Sequence, residues 1–489
     1  MRSIAIDIII PVHNASSTIE EAVRSAMTQT IPQHLKVSLE GYKLSINVCC
    51  YDDGSTDESW SILKTLKETF TAEAREDTSG RIDSCLLMQT STNNNGAARG
   101  AGFARNKAVA LGRVADRDYS FQDQFLCMLD SDDTMHPHRV AEQTACMLNC
   151  ELGNRQKTLL GCNFDRDPPD STWHYSQWAN SLDDERLLLE RFREVTILQP
   201  TWFLCRQRFL ELGGYVEAPP STSSNDSLVA FLDHEQKTLN RVVHPLYDTL
   251  ESLRLAEDLR FFQDHLDHDG MVRLHRTETP LVTYRHTGTS QSCRTSRKLL
   301  LKLRVFALER SVLRSQPLWQ KNEGHFVIWG AGRDGKDFCK ALSKDLRSRV
   351  YCFVDVDEKK LQVGRYVNRD LQADIPILHF SFLVKEDCKR RKIQSNWETG
   401  DDDDDSFGQI NKANLRDVRK DGDPSQSSPP AKKRKATKRA PLQSHDLDIE
   451  KLQRTPVVVC VAMYRTGGAL ECNVKAIGRT EGVDLWHFS

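Results

Sequence analysis

Three apolar runs in this chain end in the same way, passing from β-branched or aromatic residues straight into acidic and amide-bearing turns. Ile8–Ile10 stop at Pro11, with His13 and Asn14 just beyond. Val48–Tyr51 deliver Asp52 and Asp53, with Gly54 supplying the turn, and Phe125–Leu129 deliver Asp130, Ser131, Asp132 and Asp133. Helical periodicity follows the first two runs. Ser17 and Glu20 read as a capping box ahead of Ile19, Ala22, Val23, Ala26 and Met27; Ser55 and Glu58 repeat it ahead of Ile62, Leu63 and Leu66. Such β-α-β-α alternation predicts an α/β fold with a parallel sheet covered on both faces. In these sheets strand ends and helix starts line one crevice, where ligands bind. Three strand ends carrying carboxylates and amides at one rim therefore imply a nucleotide-and-metal site.

At 489 residues the chain exceeds one ordinary core, which predicts two domains plus an irregular segment. Basic and acidic residues number 67 and 69, a formal net charge of −2, so nothing global draws the chain to nucleic acid or a membrane surface. The opening MRSIAIDIIIPVHN reaches Pro11 too soon for a signal peptide, and no apolar run is long enough to span a bilayer. A cytoplasmic protein is the expectation. The 14 cysteines lack paired metal spacing and read as buried reduced thiols.

The ordered set IPVHN, DDGSTD, GFARNKAV, MLDSDD, GGYVE, AEDLRF and TYRHTGTSQS, spread over residues 4 to about 292, resembles family 2 glycosyltransferases of the GT-A fold. Within that family the chain is similar to the β-1,3-N-acetylglucosaminyltransferase-like group. The resemblance implies metal-dependent, inverting transfer from a nucleotide-sugar donor, UDP-linked, to an acceptor hydroxyl, with Mn²⁺ or Mg²⁺ as cofactor. Only the group name suggests N-acetylglucosamine, and the acceptor stays unknown. On the family pattern Asp130 and Asp132 hold the metal. Asp53 contacts uracil or ribose, with Asp52 competing; Pro11, His13 and Asn14 frame the base, and Arg105 and Asp130 face the nucleotide. Asp258 becomes the general base, Glu257 its alternative, and Arg285 and His286 would stabilise the diphosphate. Glu217 is a weaker acceptor contact.

Each assignment has a plainer competitor. Asp132 or Asp133 would cap the helix after Pro137, and Asp258 the helix carrying Leu259, Phe262 and Leu266. Asp52 and Asp53 suit an Asx-turn. Arg105 would then be a solvated helix arginine, and Arg285 and His286 part of an ordinary surface loop. Trp173, Trp178 and Trp202 fall in the less regular stretch where the acceptor side is expected, although buried tryptophans are commoner.

The expected organisation is a GT-A domain over 1–292, a helical linker over 293–324, and a smaller Rossmann-like domain over 325–384 and 455–489. A disordered, charged insertion over 385–454 interrupts it, with Asp401–Asp405 and the basic run Lys432–Lys435. That basic run leaves nuclear entry open. Gly330, Gly332 and Gly335 form GxGxxG after the strand Phe326–Trp329, and Asp355 follows at the spacing of a ribose contact. Two rival functions follow: a dinucleotide-dependent oxidoreductase using that loop, or a non-catalytic sugar-nucleotide-binding protein. Glycines serving packing alone are the plainer reading of the loop.

Overall fold

The computed structural model describes residues 2–76, 89–93, 97–112, 123–217, 254–286, 295–384, 448–462 and 467–489. The aspartate run at 401–405 and the basic run at 432–435 lie outside the described residues.

The first unit is built on β1 (Arg2–Val12), β2 (Tyr42–Asp52), β3 (Gln89–Thr92) and β4 (Gln124–Met128). These pair in parallel in the order β3-β2-β1-β4. Nine consecutive buried residues in β1 show why its sequence reads as a continuous apolar run: both faces are covered. Beyond β4 the sheet continues through β8 (Phe203–Cys205), β6 (Thr158–Cys162) and β9 (Met271–His275). β8 runs antiparallel to both β4 and β6, so the sheet is mixed where the sequence predicted a parallel one. An antiparallel entry needs no crossover helix. A small second sheet joins β5 (Thr134–Met135), β10 (Val282–Arg285) and β7 (Phe164–Asp167).

Neither expected capping box forms. The helix Ile19–Met27 starts after Thr18 with no side-chain cap. At the helix Ser59–Glu76, Asp57 Oδ1 accepts the Ser59 N–H at 3.0 Å, because Ser55 is drawn away to the Asp52 carboxylate and the Asn14 N–H.

The second unit contains β11 (Phe326–Trp329), β12 (Val350–Asp355), β13 (Arg365–Asn368), β14 (Ala373–His379), β15 (Val457–Val459) and β16 (Leu485–His487). Their order is β13-β14-β12-β11-β15-β16, with only β13 antiparallel to its neighbour. The chain returns to the fold before the expected limit of the insertion. Ile449–Arg454 is a helix capped by Asp448, and its Leu452 is fully buried. Between the units lies the helix Arg297–Leu308, continued by a π-helical turn over Glu309–Leu313. It packs on both the helix Glu257–Asp267 of the first unit and the helix Arg333–Ala341 of the second. Every described cysteine is a free thiol. Among the described residues no helix is long and apolar enough to cross a membrane.

Candidate active site

The crossover from β2 on one side of β1 to β4 on the other creates a topological switch point, and the carboxyl ends of those strands open onto it. Two of the loops there are stitched together. Asn14, at φ 50°, accepts the Thr56 N–H on Oδ1 at 2.8 Å, while its own N–H donates to Ser55 Oγ at 2.9 Å. His13 Nδ1 lies 3.1 Å from the Asp53 carbonyl oxygen, and the Asp53 N–H donates to the Val12 carbonyl, next to Pro11, at 2.8 Å.

Asp52 and Asp53 are almost completely buried, and both are engaged by protein. Asp52 Oδ2 accepts from Thr92 Oγ1 at 2.8 Å. Asp53 Oδ2 accepts the backbone N–H groups of Arg99 and Gly100, each at 2.7 Å, and so anchors the entry to the helix Ala101–Leu111. Burial pushes the Asp53 carboxyl up, opposed by those two N–H groups. The Asx-turn expected at Asp52 or Asp53 does not form there: the Asp52 carboxylate faces the Ser55 N–H three residues on, at 3.3 Å, and the two-residue contact falls instead at Asp57, on the Ser59 N–H.

Arg105 is 3 % exposed, which removes the solvated-arginine reading. One guanidinium nitrogen reaches Asp130 Oδ1 at 2.5 Å, and another reaches Glu257 Oε1 at 2.6 Å. Burial works against its charge, but Asp130 and Glu257 outweigh burial and hold it protonated. The aspartates after β4 and the acidic pair opening the helix Glu257–Asp267 are thereby joined through one cation.

Asp130, Asp132 and Asp133 bring one carboxylate oxygen each to within 4.8 Å of one another. The capping competitor fails here: the helix Arg139–Leu148 starts after His138 without a side-chain cap. Asp133 instead accepts the Arg285 N–H at 2.8 Å, and its Oδ2 is buried with no hydrogen-bond partner among the described residues. Burial and then the Asp130 charge push Asp132 up to about 6, and the same two causes hold Asp133 well above the carboxylate range. Crowded carboxylates with an unsatisfied buried oxygen are a hard-oxygen donor set that fits a divalent cation.

Glu257 and Asp258 differ in freedom. Glu257 is buried and committed to Arg105, whereas Asp258 is half-buried and, among the described residues, accepts only the Leu259 N–H on Oδ1, at 2.7 Å. Asp258 does not cap its helix; the N-cap position is Ala256, at φ 54°. Burial, then repulsion from Glu257, pushes the Asp258 carboxyl up to about 7, so it is not the fully ionised group its ordinary pKa would make it.

Arg285 arrives through the small sheet, where β10 pairs with β5 directly after the aspartates. Its guanidinium meets Glu21 at 2.6 Å, Asp167 at 3.3 Å and the Asp132 carbonyl at 3.4 Å, so this is no ordinary surface loop. His286 continues the strand, its N–H on the Asp167 carbonyl at 2.9 Å. Glu217 accepts from Asn106 Nδ2 at 3.0 Å and lies 3.4 Å from Arg99. Trp202 is fully buried, Trp178 donates to Glu190 at 2.5 Å, and Trp173 is exposed.

Two buried arginines escaped sequence reading. Arg139 ties its guanidinium to the Met128 carbonyl at 2.9 Å, just ahead of the aspartates. Arg166 lies 4.1 Å from the Tyr284 ring centroid and within the field of Asp133. An arginine at the start of a helix, directly before the apolar pair Val140-Ala141, was the available signal for the first; Arg166 carried none.

In the second unit the fingerprint glycines separate by role. A Cβ on Gly335 would collide with the Gly330 carbonyl oxygen, whereas one on Gly332 would meet nothing nearer than Lys360 Nζ at 3.7 Å. Asp355 does not reach outward for a ribose. Its oxygens accept from the N–H groups of Ala331 at 2.7 Å, Val356 at 2.9 Å and Asp357 at 3.0 Å, and from Lys360 Nζ at 3.0 Å.

Residues 7–213 match the model of glycosyl transferase family 2. Over that stretch, less than half of its length, the chain carries a glycosyltransferase domain. Among solved structures, residues 1–349 of S. aureus TarS in complex with UDP-GlcNAc align at 12 % identity and a TM-score of 0.36, covering 64 % of this chain and 68 % of that one. The same fragment with UDP aligns at 13 % identity and a TM-score of 0.37, covering 72 % and 83 %.

Proposed function

We propose that this protein catalyses metal-dependent, inverting transfer of a sugar from a UDP-linked donor to an acceptor hydroxyl. The observation that carries the reading is the Arg105 bridge, which sets a cluster of three aspartates beside a carboxylate poised near neutrality. Asp130, Asp132 and Asp133 would hold Mg²⁺ or Mn²⁺, which when bound supplies positive charge to the departing diphosphate. Arg285 adds a fixed cation on the same side. Asp53 and the Pro11–Asn14 turn would frame the base, with Asp53 doing so from a carboxylate already held rigid by backbone N–H groups. Asp258 takes the proton of the acceptor hydroxyl as the new bond forms, and a pKa close to working pH suits that task. Glu257 serves Arg105 and is not the base. N-acetylglucosamine is the sugar carried forward from the resemblance to the β-1,3-N-acetylglucosaminyltransferase-like group.

The oxidoreductase reading loses its ribose contact, because Asp355 is spent on the loop it would serve. A calorimetric panel of nucleotide sugars, with and without Mn²⁺, tests the proposal on wild type and Asp132→Ala. One UDP sugar should bind in a metal-dependent manner, and Asp132→Ala should abolish the metal effect. A folded protein that binds no nucleotide sugar would sink the reading.

A further inference from the structure

Between the two units runs a cleft of about 910 Å³ that none of the assigned residues occupies. We propose that it is the acceptor site and that it takes an oxyanion-bearing acceptor, one carrying a phosphate or carboxylate beside the hydroxyl to be glycosylated. The inference rests on the transferase reading above and names its acceptor class.

The helix Arg297–Leu308 lines the cleft and packs on the helix that opens with Glu257 and Asp258. Tyr175 and Glu194 also line it, and both stand within the field of Asp258. The cleft therefore adjoins the helix that carries the carboxylate proposed to receive the acceptor's proton. In the step itself the acceptor oxygen bonds to the sugar anomeric carbon while the bond from that carbon to the diphosphate breaks. The electron pair leaves with the diphosphate, and the hydroxyl proton passes to Asp258.

The walls of the cleft are cationic. Seven lysines and arginines line it against Glu194, Asp334 and Asp337. Lys340 pairs with Asp337 at 2.9 Å and Arg333 with Asp334 at 3.7 Å, while Arg304 donates to the Phe192 carbonyl at 2.6 Å. Arg297 and Lys298 have no carboxylate within ion-pair distance among the described residues, and both are exposed. They also open a 12-residue helix whose first turn holds no acidic residue. Cations at a helix N-terminus oppose the macrodipole and so destabilise the helix. A local rule broken twice in succession, on the wall of a cleft, is expected where function takes precedence over stability. Guanidinium groups match phosphate and carboxylate geometry through paired N–H donors.

The test measures binding of glucose 6-phosphate, glucuronate and glucose to the full chain by calorimetry, on wild type and on the double variant Arg297→Gln with Lys298→Gln. Removing two cations from a helix start leaves folding intact, which a thermal melt checks. The anionic probes should bind in preference to glucose and weaken roughly tenfold or more in the variant, with UDP-sugar binding unchanged. Whichever anion binds tells phosphate from carboxylate. Equal binding of glucose, or a variant that binds anions like wild type, overturns the proposal. If anions bind but no UDP sugar does, the transferase reading fails separately and the cleft loses its acceptor assignment.

Discussion

At the scale of single residues the site is organised by Arg105, which is 152 positions from Glu257 and 25 from Asp130 in sequence. That separation is why its bridging role was not legible: the ARN segment identified an arginine, but only folding supplies both carboxylates. The placement of the aspartates after β4, and of Asp258 at a helix start, was legible, because each sits at an element end, where the local pattern is strong. The ionisation of Asp258 was not, since burial and the Glu257 charge set it. Its proposed role needs the ionised form, so activity should rise with pH through about 7. Arg105 holds that carboxyl down, and Arg105→Gln should move the rising limb to higher pH in a pH–rate profile. An unmoved limb would take Arg105 out of the electrostatics of the base. Asp258→Asn should lower kcat on the order of 10²–10⁴-fold while donor binding persists. The same raised pKa has a stability consequence. A carboxyl favoured in its protonated form by the fold contributes stability at low pH, and that contribution is lost as pH rises from the ordinary carboxylate range to about 7. The site is least stabilised by this group where it would work best.

Among elements, strand positions were read to within a few residues at the ends that carry the site, while helix starts were misread. The apolar runs are set by burial on both faces, a strong signal that survives any context. Caps depend on which of several nearby hydroxyls and carboxylates wins, and here Asn14 and Asp52 competed for Ser55 and left Asp57 to serve Ser59. The glycine-rich loop of the second unit shows the same limit in reverse: the spacing of a cofactor fingerprint is present, but its acidic partner is turned inward. A packing role and a cofactor role make different demands on its glycines. Gly335→Ala should destabilise by about 1–3 kcal/mol, because its Cβ would meet the Gly330 carbonyl. Gly332→Ala should leave the denaturation midpoint unchanged and bind dinucleotide no worse than wild type, having open space around it. A fluorescence titration with NADH that shows tight binding, lost in Gly332→Ala, would restore the cofactor reading.

For the whole molecule, the question is what joins the two units, since the proposed base and the cleft wall come from different parts of the chain. Ion pairs cross between them: Arg186 meets Glu481, with each side chain about a quarter exposed. Such partly exposed pairs contribute only about 0–1 kcal/mol. Apolar burial contributes more. Phe192, from the first unit, is completely buried in one cluster with Leu308, Phe338, Trp486 and Phe488, its ring centroid 5.3 Å from that of Trp486. The Phe192 carbonyl also accepts from Arg304. Sequence segmentation at 292 could not anticipate a core residue contributed 100 positions upstream of the boundary. Burying one such aromatic is worth more than the ion pair, and Phe192→Ala should cost about 3–5 kcal/mol. Because the cluster belongs to both units, the intact chain should unfold in a single calorimetric transition that the substitution lowers as a whole. Two resolved transitions, with only one displaced by Phe192→Ala, would mean that the units fold independently and that the cleft between them has no fixed geometry with which to present an acceptor to Asp258.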